Sequence, residues 1–178
     1  MDISQLRHVL VQHSIDATAF GHGDAKTLEH LRTEIEAGET VLAEENGTLK
    51  RIVSLVSLTI LAPYGKHLVE DRQVFKDGRV RRRGLNALAE KFKLGEDPLA
   101  AAKRALEEEL GLPSQVVASL RFVASDRTET EDASPSYSGL ISVYRTAHYS
   151  VTLPPDAYDL EGYVEHQADK STYFRWEA

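Results

Sequence analysis

The 178-residue chain reads as an α/β protein with a helical N-terminal extension, on three observations. Residues 2–15, and a second segment reaching Gly38, carry apolar side chains at helical spacing. Residues 49–62, LKRIVSLVSLTILA, then open a series rich in β-branched and apolar residues, the composition of strands. Residues 97–110 return to a helical period before strand-like segments resume, and helices set among strands mark an α/β body.

In chain order, Ile3, Leu6, Leu10 and Ile15 predict a first helix capped by Asp2 or Ser4. Phe20-Gly21-His22-Gly23 is a loop, and a second helix is expected from near Asp24, with Leu28, Leu31 and Ile35 as its stripe and Gly38 as its stop. Thr40–Ala43 reads as a short strand, and Asn46-Gly47 is a hairpin turn signal. Strand 49–62 is closed by Pro63-Tyr64-Gly65, and His67–Phe75 pairs back. Asp77-Gly78 turns the chain into Arg79–Arg83. After the 97–110 helix, strands are expected at about 116–125, at 139–152 and over Thr172–Trp176. The boundary falls near residues 44–48, giving an extension over 1–47 and a domain over 48–178.

Composition narrows the function. The chain has 21 Lys and Arg against 28 Asp and Glu, a formal net charge of −7, which disfavours nonspecific nucleic-acid binding through phosphate neutralisation. The absence of cysteine excludes disulfides, thiolate zinc sites and cysteine nucleophiles. The N-terminus lacks the features of a secretory signal, and no apolar run approaches a membrane span, so a cytoplasmic, soluble protein is expected.

The 97–110 helix carries the chemistry. Asp97 suits its N-cap, Pro98 its first turn and Gly111 a left-handed C-terminal cap. Leu99, Ala102, Leu106 and Leu110 form its apolar face, with Arg104, Glu108 and Glu109 off that face. Adjacent carboxylates repel unless solvated, paired or bound to a cation, and Mg²⁺ selects oxygen ligands of this kind.

Residues 90–112, EKFKLGEDPLAAAKRALEEELGL, resemble the Nudix box, G-x5-E-x7-R-E-U-x-E-E-x-G-U, with U aliphatic. Glu96, Arg104, Leu106, Glu108, Glu109, Gly111 and Leu112 match, seven of nine defined positions in register; residues 1–47 lie outside the resemblance. The resemblance implies a Nudix-like α/β/α sandwich with a mixed sheet and a divalent-metal-dependent hydrolase of a nucleoside diphosphate-linked or related diphosphate compound. It further implies that Glu108 and Glu109 bind Mg²⁺ or Mn²⁺, while Glu96 and Arg104 form a supporting ion pair.

Two positions depart from the box. Glu90 replaces its first glycine, and Ala105 replaces a glutamate of the family's metal-binding set. Glu107 lies about 200° around the helix from Ala105 and is a poor substitute, whereas Glu90 is a candidate third metal ligand. A lost general base costs about 10²–10⁴ in rate, so the Ala105 change bears on turnover more than on binding. The alternative is a catalytically impaired module that binds a ligand or a protein.

Other features keep two readings each. Glu129, Glu131 and Asp132 are candidate bases or a solvated loop. Arg79, Arg81, Arg82 and Arg83 cluster just before the box; Arg81, Arg83 and Lys93 are candidates for holding substrate phosphates, or the cluster is a charged strand edge. Strand alternation would send Arg81 and Arg83 to one face and Arg82 to the other. The tyrosines at 137, 144, 149 and 158 are packing residues or a base-stacking surface. The stretch 21–27 lacks the Gly-Lys pair of a Walker loop, and the seven histidines form no zinc pattern. Residues 1–47 are left three roles: covering a sheet edge, contributing to a homodimer, or lidding the cleft.

Overall fold

A computed structural model describes residues 1–178 except Asp24 and Leu94. Helix α1 spans Ile3–Gln12; the Asp2 carboxylate accepts from the Gln5 N–H while the Gln5 side chain accepts from the Asp2 N–H, a reciprocal capping box. Helix α2 spans Leu28–Glu36 and is capped by Thr27, later than expected; Asp24, where its start was expected, lies outside the described residues. Strand β1 (Val41–Glu45) turns through Asn46 and Gly47, at φ +52° and +78°, into β2 (Thr48–Leu61), as a type I′ hairpin requires. Then come β3 (His67–Phe75), β4 (Val80–Arg81), β5 (Leu88–Lys91), α3 (Pro98–Leu110), α4 (Ser114–Ser119), β6 (Phe122–Ala124), β7 (Thr128–Ala133), β8 (Ile141–Thr152), β9 (Tyr163–His166) and β10 (Lys170–Glu177). The fold class is α/β, an open mixed sheet with helices.

Three expectations need correction. The strand expected at 116–125 is helix α4 followed by the three-residue β6. Pro113 leads into the helical turn, which buries Val117, and that packing outweighs the β-propensity of two valines. The acidic segment read as a loop is β7, fully exposed yet paired with β8 from Thr128↔Thr146 to Ala133↔Ile141. Strand β9 was not anticipated; its pairing with β10 defines it.

The chain divides into two compact units, cut within β2 and within β8. The first comprises Met1–Leu55, Lys91–Glu96 and Arg127–Thr146, so residues 1–47 share a unit with later segments. Its core joins Leu6, Leu10, Leu28 and Leu31 to Leu49, Tyr137 and Leu140. Inside it the Glu34 carboxylate accepts from Lys26 Nζ at 2.6 Å and Arg51 Nη2 at 2.8 Å, with Lys91 Nζ at 3.0 Å. Arg51 lies over the Tyr137 ring, 5.2 Å from its centroid.

The second unit comprises Val56–Glu90, Asp97–Asp126 and Ala147–Ala178, with strand order β6-β8-β2-β3-β10-β9 and β4 against β3. Val56, Leu58 and Ile60 alternate inward along β2. Gly162, at φ +88°, precedes β9 where a Cβ would stand 2.0 Å from the Phe174 carbonyl oxygen, so only glycine fits. Tyr158 and Tyr163 pack on Trp176, with ring centroids 4.9 and 6.2 Å away. Among the described residues, no helix is long and apolar enough to cross a membrane.

Candidate functional site

Helix α3 is held at both ends as its sequence requires. The Asp97 carboxylate accepts from the N–H groups of Leu99 and Ala100 at 2.9 and 3.1 Å, Pro98 opens the first turn, and Gly111 closes the helix at φ +65°. Asp97→Ala should cost about 0.5–2 kcal/mol, read as a lowered midpoint in thermal unfolding. The buried face comprises Ala101, Ala102, Ala105, Leu106 and Leu110; Leu99, expected there, is only partly buried. Ala105 is 1% exposed. The position where the box would carry a carboxylate therefore packs as core.

Arg104 lies on the flank of that face. Its Nη1 donates to Glu90 Oε1 at 3.1 Å and to Glu108 Oε2 at 3.0 Å, so one guanidinium ties β5 to the last turn of α3. Glu109 stands one turn beyond Ala105. Burial, reinforced by the charges of Glu165, Glu90 and Glu70 and opposed by Arg83, pushes its carboxyl up to about 8. Near neutral pH this group holds its proton or releases it readily.

Glu70 and Glu165 were missed in the sequence. Glu70 sits on β3 beside Leu68 and Val69 and is itself buried, a charged residue in an inward run. Glu165 lies on β9, which had no strand signal.

The arginine cluster is largely committed. Arg83 Nε donates to Glu70 at 2.7 Å and its Nη2 meets the second oxygen, a fork-on-carboxylate pair. Arg82 reaches Asp71 at 2.9 Å, so consecutive arginines serve consecutive carboxylates of β3. Arg79 pairs with Asp77. Arg81, exposed on β4 opposite Gln73, has no polar partner among the described residues. Glu96 and Lys93 belong to the first unit, where the Glu96 carboxylate accepts from the Lys93 N–H at 2.8 Å.

The candidate bases also lie in the first unit, on β7. Glu129 pairs with Arg145 at 2.8 Å and Glu131 with Lys50 at 2.6 Å, while Asp132 accepts from the Ala133 N–H. Tyr137 is fully buried and packs on Phe20 at 5.5 Å, a core role. Among the described residues, no three His, Cys, Asp or Glu side chains gather as a metal-holding group.

No family model and no curated protein sequence matches the chain. Among solved structures it is similar to the E. coli dihydroneopterin triphosphate pyrophosphohydrolase, at 16% identity over 69% of this chain and 78% of that one, with a TM-score of 0.46. It is similar to a protein from Deinococcus radiodurans at 16% identity, covering 77% and 81% of the two chains, TM-score 0.44. It is also similar to RenU, a Nudix hydrolase from M. smegmatis, at 17% identity, covering 76% and 78%, TM-score 0.37.

Proposed function

We propose that the chain is a Nudix-type, divalent-metal-dependent hydrolase of a nucleoside diphosphate-linked or related diphosphate compound. The observation that carries this reading is Glu109, a carboxyl near neutrality on the same turn as Glu108, with Arg104 bridging Glu108 and Glu90. The donors are all carboxylate oxygens, which suits Mg²⁺ or Mn²⁺, and Mg²⁺ commonly takes one or two carboxylates and fills its remaining positions with water and substrate phosphates. Glu108 and Glu109, with Glu90 beside them, would hold the ion, which neutralises the diphosphate and lowers the pKa of the attacking water.

The chain's own groups supply the rest. Arg104 fixes the Glu108 and Glu90 carboxylates. Glu109, whose carboxyl is raised to about 8 in the metal-free protein, would give up its proton on taking the ion, since a carboxylate ligates only when deprotonated. In the second unit, Arg81 and Arg83 are the side chains assigned to substrate phosphates, and Arg83 must first leave Glu70. The reading includes a cytoplasmic location and a small-molecule diphosphate or nucleotide ligand rather than nonspecific nucleic acid or a membrane.

The buried Ala105 favours a second reading, a ligand- or protein-binding module without turnover. Incubating the protein with a panel of nucleoside diphosphate compounds and Mg²⁺ or Mn²⁺ separates the two. Under the hydrolase reading, product forms and Glu108→Gln lowers the rate about 10²-fold or more. Turnover that survives both Glu108→Gln and Glu109→Gln removes the proposed site; binding without turnover selects the module.

A further inference from the structure

We infer that Asn46, at the tip of the β1–β2 hairpin, is a self-modification site whose side-chain amide is converted to a carboxylate by attack from the Gly47 backbone nitrogen. The Gly47 nitrogen bonds to Asn46 Cγ, the Cγ–Nδ2 bond breaks, and ammonia leaves carrying the Gly47 proton. A five-membered cyclic imide remains, and water opens it at either carbonyl. Opening at Cγ gives aspartate; opening at the backbone carbonyl gives isoaspartate, with the chain running through Cγ.

Both reacting groups stand ready in water. Asn46 and Gly47 are exposed, and among the described residues no hydrogen bond engages the Asn46 amide or the Gly47 N–H. A Cβ placed on Gly47 would meet nothing within 4 Å, so the approach to its nitrogen is open. Glu45↔Thr48 is the last pair of the ladder, and bringing Asn46 into line for attack opens only that end. Local opening of this kind takes far less free energy than global unfolding.

Two other sites show the selectivity. Asp77-Gly78 has the same small neighbour, but its groups are engaged. The Gly78 N–H donates to the Phe75 carbonyl at 3.0 Å, and the Asp77 carboxylate accepts from Arg79 N–H and Nε at 3.0 and 2.7 Å. Those bonds from Arg79 keep the Asp77 carboxyl ionised, a form with no leaving group. Asn86, the chain's other asparagine, is exposed but precedes Ala87, whose Cβ crowds the attacking nitrogen.

The products change the hairpin. Each adds a carboxylate beside Glu44 and Glu45, making the formal charge one unit more negative than −7. Isoaspartate also lengthens the main chain by one methylene inside a two-residue loop that fixes the register of its strands. It therefore loosens β1 against β2, next to Leu49 of the first-unit core.

The test is to age the folded full chain in mildly alkaline buffer and to weigh its tryptic peptides. Peptide 33–50, which holds Asn46, should gain one mass unit in ordinary water and three in oxygen-18 water. Peptide 84–91, which holds Asn86, should keep its mass. Aged protein should melt below fresh protein, whereas Asn46→Asp, with the new charge on an ordinary backbone, should melt close to it. Conversion of peptide 33–50 only in denaturant, or equal conversion of both peptides, overturns the site. Aged, converted protein that melts as fresh protein does overturns the effect on the hairpin.

Discussion

Glu34→Gln is expected to lower stability by about 3–5 kcal/mol at neutral pH, because it leaves buried cations without their counter-charge. Glu34 is 6% exposed and Arg51 4%, and Lys26 and Lys91 converge on the same carboxylate. Glutamine keeps the volume and some hydrogen bonding but not the charge that offsets three cations. For a chain of this size, 1 kcal/mol corresponds to roughly 2–4 °C, so the loss is large in a thermal melt.

The pH dependence tests the cause. Burial alone would raise the Glu34 pKa; the hydrogen bonds from Lys26, Arg51 and Lys91 outweigh it and hold the carboxyl at about 2, below its ordinary value of 4.5. A depressed carboxylate contributes its full stability above the unfolded value and loses it as pH falls toward the folded value. The gap between wild type and Glu34→Gln should therefore be constant above about pH 5 and close between about pH 4.5 and 2. A gap that persists unchanged in acid would mean that the substitution acts through packing. Glu107→Gln, on the exposed face of α3, should stay within about 0.5 kcal/mol of wild type.

Glu34 also shows what the sequence could convey. Its helix was legible because Leu28, Leu31 and Ile35 repeat at helical spacing, and the β1–β2 hairpin because Asn46 and Gly47 tolerate positive φ. Helix α3 was legible at both caps because capping is local: Asp97 and Gly111 act within one turn of themselves. The cations around Glu34 come from three separate segments, and no local pattern announces that they meet. The same holds for β7, whose polar residues become a strand only because β8 is available to pair.

The site divides along the same line. Arg104 and Glu108 pair across one helical turn, which spacing alone foretells, whereas Glu90 joins them from β5 and Glu70 and Glu165 face Glu109 from β3 and β9. Spacing could rank Glu107 as a poor substitute for the missing carboxylate at Ala105. It could not show that Ala105 is core, or that Glu109 is the carboxyl carrying the burial.

Glu109→Gln is expected to abolish most turnover, about 10²–10⁴-fold, while making the metal-free protein more stable in alkaline solution. The two effects have one origin. A carboxyl raised from 4.5 to about 8 binds its proton more tightly in the folded state, so stability falls as pH rises from about 4.5 to 8 and is lowest above that. Glutamine keeps the neutral form at every pH. The variant should match wild type near pH 4 and exceed it at pH 9, by an amount on the order of a few kcal/mol at most, since the side chain retains some solvent. Thermal melts across pH, without metal, read this directly. Adding Mg²⁺ at pH 8 should then raise the wild-type midpoint, as a ligand that binds only the folded state must, and leave that of Glu109→Gln nearly unmoved. A side chain kept only for structure would lose stability on substitution, so a variant that is both less active and less stable at pH 9 contradicts the assignment. Higher stability together with lost turnover is the behaviour of a charge held in an unfavourable place for the reaction it serves.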